Sequence, residues 1–263
     1  MMKNFKQIVS AGAIACMMFV SPVLHADVPY PVEYYLPNIH GKSLTTPTGW
    51  GAAYGTVFAG FAMTSPAPYS HDSDGAAVVG IGIGNPVKNL GLQASLVNLD
   101  VSEWDRYALN LHLHRYLGGA KSIAIGVENI LLSDGSDSDE SYYVVFSQGI
   151  LSEPFIKKSN GSSTLHYSIG AGTGMYGNKS PLDIAAGKGK HGTYVFANVA
   201  YELFDELNVI ADWNGVNLNA GISKTFLIGG SVPIVIVLGA ADLTSNSGDG
   251  VRFIAGVGTG ITL

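Results

Sequence analysis

Residues 109–117, LNLHLHRYL, alternate apolar and polar side chains with a period of two. Successive side chains of a β-strand point to opposite faces. Tyr107, Leu109, Leu111 and Leu113 therefore share one face, and Ala108, Asn110, His112 and His114 the other. The same period recurs in Val79–Gly84, Leu165–Gly172 and Val216–Ser223. A chain patterned this way folds into two-faced sheet. Either two sheets sandwich a dry core, or one sheet closes into a barrel and turns its apolar face to lipid.

The N-terminus bears on that choice. MMKNFKQ carries Lys3 and Lys6, the apolar run IVSAGAIACMMFVSPVL follows, and Ala26 precedes Asp27. This is the layout of a secretory signal peptide, so residues 1–26 are expected to be cleaved. Cleavage removes the only cysteine, Cys16, and leaves no disulfide or thiolate metal site. It also removes two of the 14 lysines and arginines and none of the 20 acidic residues. The mature net charge of −8 argues against nucleic acid as a partner and against a basic lipid-binding surface. No later segment approaches the roughly 18 apolar residues of a spanning helix; the longest is VPIVIVLGAA, residues 232–241. An exported, strongly apolar chain with no spanning helix points to a membrane β-barrel, because only helices and closed barrels cross a bilayer.

Pro29, Pro31, Pro37 and Pro47 exclude a regular central strand over residues 27–49, which read as an irregular extension. Residues 50–263 read as the barrel domain, all-β, antiparallel and up-and-down, with about 12 strands. The expected strands are 50–64, 75–84, 89–99, 106–117, 121–132, 141–150, 163–175, 191–203, 206–214, 215–223, 231–243 and 250–263. Each is about long enough to cross a bilayer at a tilt. Long polar connections such as SDGSDSDE alternate with short ones such as GGA and DE, as expected of loops on one side and turns on the other. Two links depart from this rhythm: LSEPFIKKSNGSS is long where a turn is expected, and Asn214-Gly215 reads as a tight hairpin turn where a loop is expected. Trp50, Tyr107, Tyr116, Tyr142, Tyr201, Phe204 and Trp213 sit near expected strand ends, as interfacial girdles do.

The chain closes on the strand VRFIAGVGTGITL. This ending resembles the C-terminal strand of Gram-negative outer-membrane β-barrel proteins, with Gly258 six from the end and Ile261 and Leu263 third-last and last. Leucine replaces the usual terminal phenylalanine, and Gly256 stands where a polar residue is usual. The resemblance extends to the signal peptide and the strand–loop rhythm, and it is porin-like without fixing a subfamily. It implies insertion by the outer-membrane assembly machinery, contact with outer-membrane lipid and lipopolysaccharide, periplasmic termini and acidic loops facing outside.

In such a barrel the polar face points inward. Asn110, His112, His114, Glu128, Glu202, Asp212, Asn217, Asn219 and Arg252 are then lumen candidates, since charged groups within a membrane face water or a partner. The expected function is passive diffusion of small hydrophilic solutes, with an acidic lumen disfavouring anions. A non-conducting structural or adhesive barrel acting through its acidic loops is the alternative. A lipid hydrolase using His166 and Ser168 is the third reading, although the alternation places that pair inside, away from lipid. His112, His114 and Glu128 form a possible zinc or copper set, with Asn110 about opposite Glu128 across the 118–120 turn; polar lumen lining accounts for them equally. No catalytic residue, metal or cofactor is therefore assigned. Three runs of alternate glycines (Gly80–Gly84, Gly170–Gly174, Gly256–Gly260) leave bare wall, which suits curvature, solute or an inserted segment. Val235 and Val237 need cover inside a polar lumen, and residues 28–37 are the expected cover.

Overall fold

The computed structural model describes residues 40–131, 133, 139–229 and 232–263. The signal peptide, the 28–37 segment and most of the 133–140 acidic loop lie outside those residues. Twelve strands run in chain order: β1 (Thr56–Ser65), β2 (Asp74–Gly84), β3 (Gly91–Asn98), β4 (Tyr107–Gly118), β5 (Lys121–Leu131) and β6 (Ser141–Gly149) form the first half. The second half comprises β7 (Leu165–Gly172), β8 (Val195–Phe204), β9 (Leu207–Trp213), β10 (Leu218–Ile228), β11 (Val232–Ala241) and β12 (Arg252–Thr262). Each pairs antiparallel with its neighbours in sequence, and β12 pairs with β1 from Thr56↔Thr262 to Ser65↔Phe253. The sheet is a closed barrel with no free edge.

The two faces differ as the alternation requires. On β5, Ile123 and Ile125 are exposed while Ser122 and Ala124 between and beside them are buried. Val79 and Ile81 on β2, Val144 on β6, Ile169 on β7, Val199 and Tyr201 on β8 and Val257 on β12 continue an exposed apolar outer surface around the ring. A water-facing exterior of this composition would be unusual, since contiguous apolar patches on soluble monomers are small. Closure and an apolar exterior together make this a membrane-spanning barrel of the outer-membrane type. Among the described residues no helix is long and apolar enough to cross a membrane.

Several sequence expectations are corrected. The first strand starts at Thr56 rather than residue 50; Gly55, at φ +82°, ends the coil before it. β7 ends at Gly172 and β10 continues to Ile228. The polar run Ser223–Thr225 is carried through as strand because β11 pairs along it as far as Ile228↔Val232. Asn214-Gly215 is not a two-residue turn. The Asn214 side chain accepts from the backbone N–H of Val216 and Asn217, and strand pairing resumes only at Leu218↔Trp213. Gly215 is required there: its φ is +96°, and a Cβ would lie 1.9 Å from the Tyr176 carbonyl oxygen. The long 150–164 link folds as a small hairpin of its own, bridged at Ile156↔Ser163. Trp50 and Tyr116 are not girdle residues; both are buried inside, whereas Tyr142, Tyr201 and Phe204 are exposed outside.

Replacing Ile125, 54% exposed at the middle of β5, with Arg tests the lipid-facing exterior. Refolding equilibria in lipid bilayers are expected to show a loss of about 2–4 kcal/mol. A water-facing site would tolerate the change with a shift below about 0.5 kcal/mol.

Candidate functional site

The barrel interior is built first by the wall. Inward positions on β3 and β4 carry Gln93, Ser95, His112 and His114, and those on β6 and β7 carry Ser147, His166 and Ser168. Asn198 and Glu202 face inward from β8, Asn208 and Asp212 from β9, and Asn219 and Ser223 from β10. All are buried. A polar side chain enclosed this way requires partners, and many come from a second component.

That component is the stretch 41–53, which runs inside the barrel ahead of β1. Lys42 donates to the Asn208 side chain, the second residue of β9, at the end of the barrel that carries the short turns. At the tip, the N–H groups of Leu44 and Thr45 donate to one Asp212 carboxylate oxygen at 3.0 and 2.7 Å, and the Thr45 hydroxyl donates to the other at 3.0 Å. Asn219 Nδ2 donates to Thr45 Oγ1 and to Asp212, and Asn198 Nδ2 to Thr46 Oγ1. Returning, Gly49 N–H donates to Ser147, the Ser122 hydroxyl to Gly49 O, and Ala52 N–H to Gln93. A Cβ on Gly82 of β2 would lie 2.1 Å from the Ala53 carbonyl oxygen, so this bare wall position admits the returning chain. Gly41 approaches Val235 to 3.3 Å, measured from where its Cβ would be, and Leu44 shares a cluster with Val235 and Val237. The apolar inner face of β11 is thus covered by residues just after the 28–37 segment expected from sequence.

The candidates fall into three groups. Asp212, Asn219, Asn217 and Arg252 belong to one network. Asn219 Oδ1 accepts from the Asp242 N–H, Asn217 Nδ2 donates to Asp242 Oδ1, and Arg252 Nε donates to Asp242 Oδ2 at 2.7 Å. Arg252 Nη1 also reaches Thr64. Glu202 stands apart at the turn end, ion-paired with Lys157 from the 150–164 hairpin. Asn110, His112, His114 and Glu128 form the third group. A bulge in the β4–β5 register between Leu109 and Leu111 sets Asn110 against both Glu128 and Asn129, whose N–H it accepts. His112 Nδ1 is 2.6 Å from the Tyr143 hydroxyl, and Glu128 accepts from Tyr176 at 2.7 Å. Among the described residues, His112, His114 and Glu128 do not bring three ligand atoms within 4.8 Å; the acidic group that does, Asp100, Glu103 and Asp105, already has Arg106 bridging Asp100 and Asp105. Ser168 Oγ pairs with Ser147 Oγ at 2.7 Å, and both it and His166 are buried inside, so the pair is neither joined nor lipid-facing. On β12, Gly258 faces inward while Ile261 is exposed, as is Leu263 just beyond the strand.

Sequence reading missed Asp242, Tyr143, Tyr176 and stretch 41–53 itself. Tyr176 comes from the loop between β7 and β8, a position no strand period marks. That loop also holds the short helix α1 (Pro181–Ala185), which helps close the other mouth. Asp183 in α1 accepts from Tyr69 Oη, Ser247 Oγ, Gly248 N–H and Ser180 Oγ, joining three loops. Burial alone would raise this carboxyl, but the hydrogen bonds from Ser247, Tyr69, Gly248 and Ser180 outweigh it and hold it below the usual carboxylate range.

Among solved structures, the KdgM porin is 10% identical with a TM-score of 0.47, covering 79% of this chain and 99% of that one. The NanC porin is 9% identical at 0.45, covering 79% and 100%. The outer membrane phospholipase A from Escherichia coli is 13% identical at 0.39, covering 80% and 97%. No protein-family model and no curated protein matches the sequence. The outer-membrane assignment rests on barrel closure and the apolar exterior.

Two outcomes follow. Asp212→Ala strands the Leu44 and Thr45 donors and is expected to cost about 3 kcal/mol in thermal unfolding in detergent, with 41–53 newly open to protease. For Asp183, a depressed folded pKa contributes stability that is present above about pH 4, the unfolded value, and is lost as pH falls through the folded value. Asp183→Asn should therefore expose the 179–190 loop to proteolysis at neutral pH, as acid does to the native chain. Equal resistance of native and variant would mean the carboxylate is not the tie.

Proposed function

We propose that the barrel is a diffusion channel for small hydrophilic solutes, held closed in this conformation by residues 41–53. The observation that carries this reading is how that stretch is attached. It contributes no strand to the ladder, which closes through β1 and β12 without it. Apart from the turn into β1, where Thr56 N–H donates to Ala53 O, its hydrogen bonds to the wall run through wall side chains, among them Tyr116, Ser122, Ser147, Gln93, Asn198, Asn208, Asp212, Asn219 and Ser223. Removing the stretch leaves the wall's strand pairing intact and uncovers groups that water satisfies readily. The charged group uncovered there is the Asp212 carboxylate, whereas Glu202 and Arg252 are each ion-paired, with Lys157 and Asp242. Cations are therefore the favoured charge class.

The second reading, a non-conducting structural or adhesive barrel, is favoured by the near-complete burial of the inner polar side chains, such as Asn208, Asn219 and Ser223. Planar-bilayer recordings of residues 27–263, alongside a variant lacking 41–52, separate the two. A channel gives small or rare steps in the first and severalfold larger, cation-selective steps in the second. Silence from both, with folding established by heat-modifiable migration, favours the solid barrel.

A further inference from the structure

Three of the seven histidines of the chain converge on Trp50 and Gly51 of the inward stretch. His112 and His114 are neighbours on the inner face of β4, with ring centroids 5.1 Å apart. A Cβ on Gly51 would lie 2.7 Å from His112 Cδ2 and 2.7 Å from His114 Nδ1, so the bare Gly51 backbone is seated directly on both rings. Across Trp50, His166 makes an edge contact at 5.6 Å and 78°. All three imidazoles are buried. His112 Nε2, both ring nitrogens of His114 and His166 Nδ1 complete no well-aligned hydrogen bond among the described residues; the Trp50 backbone only approaches the His112 ring, and the Gly51 and His112 backbone the His114 ring. Buried polar atoms are ordinarily paired, and four unpaired nitrogens around one short stretch of chain need an explanation beyond packing.

We propose that these histidines form a proton-operated release for the 41–53 stretch: acidification charges them, and the charged rings expel Trp50 and Gly51 and open the channel. This rests on the channel reading above. A neutral imidazole tolerates this enclosure; an imidazolium does not, because it needs solvent or a counter-charge. The surrounding groups offer little of the latter. Tyr143 is bonded to His112 Nδ1, and Tyr116 donates to Gly51 O. Glu128, the acid facing inward from β5, is engaged by Tyr176 and offsets one charge at most. Lys42 adds positive charge on the His166 side. Departure of the stretch admits water to every unpaired nitrogen. The open state then binds more protons than the closed one, so lowering pH shifts the population towards it.

The test uses the mature chain, residues 27–263, in planar bilayers at about pH 7.5 and about pH 5, beside His112→Gln/His114→Gln, Asp212→Asn and the variant lacking 41–52. In parallel, Trp50 emission is read in liposomes from a Trp104→Phe/Trp213→Phe chain. Open probability should rise severalfold in acid, and the double histidine variant should lose most of that rise. Asp212→Asn should conduct more at neutral pH yet keep its acid response, and Trp50 emission should shift to the red in acid. An acid response that survives the histidine changes but is lost in Asp212→Asn overturns the proposal and assigns the response to the carboxylate. If the 41–52 deletion conducts while the native chain is indifferent to pH, the release is wrong and the channel reading stands. If nothing conducts, the channel reading fails; an unmoved Trp50 emission then overturns the release as well.

Discussion

Everything in this molecule depends on satisfying backbone hydrogen bonds where no water is present. A strand in hydrocarbon cannot leave one edge unpaired, because each orphaned N–H or C=O costs several kcal/mol. The pairing of β1 with β12 removes the last edge. Once the ring is closed, alternation does the rest: apolar side chains meet lipid outside, and the other half of every strand is committed to an enclosed interior. The polar interior is therefore a consequence of closure, and the composition of its wall follows from the same two-residue period that makes the exterior.

That enclosed polar space sets a second requirement. Asparagines, serines and carboxylates kept from water must find partners or remain costly. The chain meets much of the requirement with its own backbone, folding 41–53 inward so that Asp212 receives two N–H groups of the tip and Ser147 receives a third. From the other mouth Tyr176 reaches Glu128. The matching is incomplete around Gly51, at the histidines and Trp50 Nε1, and also at Asn198 Oδ1 and Thr225 Oγ1.

Much of the barrel was legible in the sequence, because period-two alternation is a local property set by pleat geometry. Twelve strands, their approximate limits and the inward side of Asn110, His112, His114, Asp212 and Asn219 all follow from it. What was not legible depends on contacts between distant residues. The β4–β5 bulge at Asn129, with φ +58°, has no local signature, and β10 runs on to Ile228 only because β11 pairs with it. Trp50 reads as a girdle residue from its place before a strand, yet it is buried because the chain has not begun the strand when it passes inside. The prolines argue against a regular strand over 27–49, and residues 40–49 do lie outside the sheet, but prolines say nothing of where those residues go. A need for cover over Val235 and Val237 was visible; Gly41 and Leu44 supply cover there, and the 28–37 segment expected to do so lies outside the described residues.

The path of 41–53 has a topological consequence. Lys42 lies beside the second residue of β9, and Ala53 lies against Gly82, two residues before β2 ends. Both feet of the inserted stretch thus stand at the same rim, and it enters the ring as a bight rather than as a thread drawn through from end to end. A bight of this kind leaves the hoop closed around it, because no strand pairing of the wall passes through it. The seat of the stretch is therefore set by side-chain contacts such as those of Asp212, Ser147 and Gln93, and the wall's own ladder is independent of it.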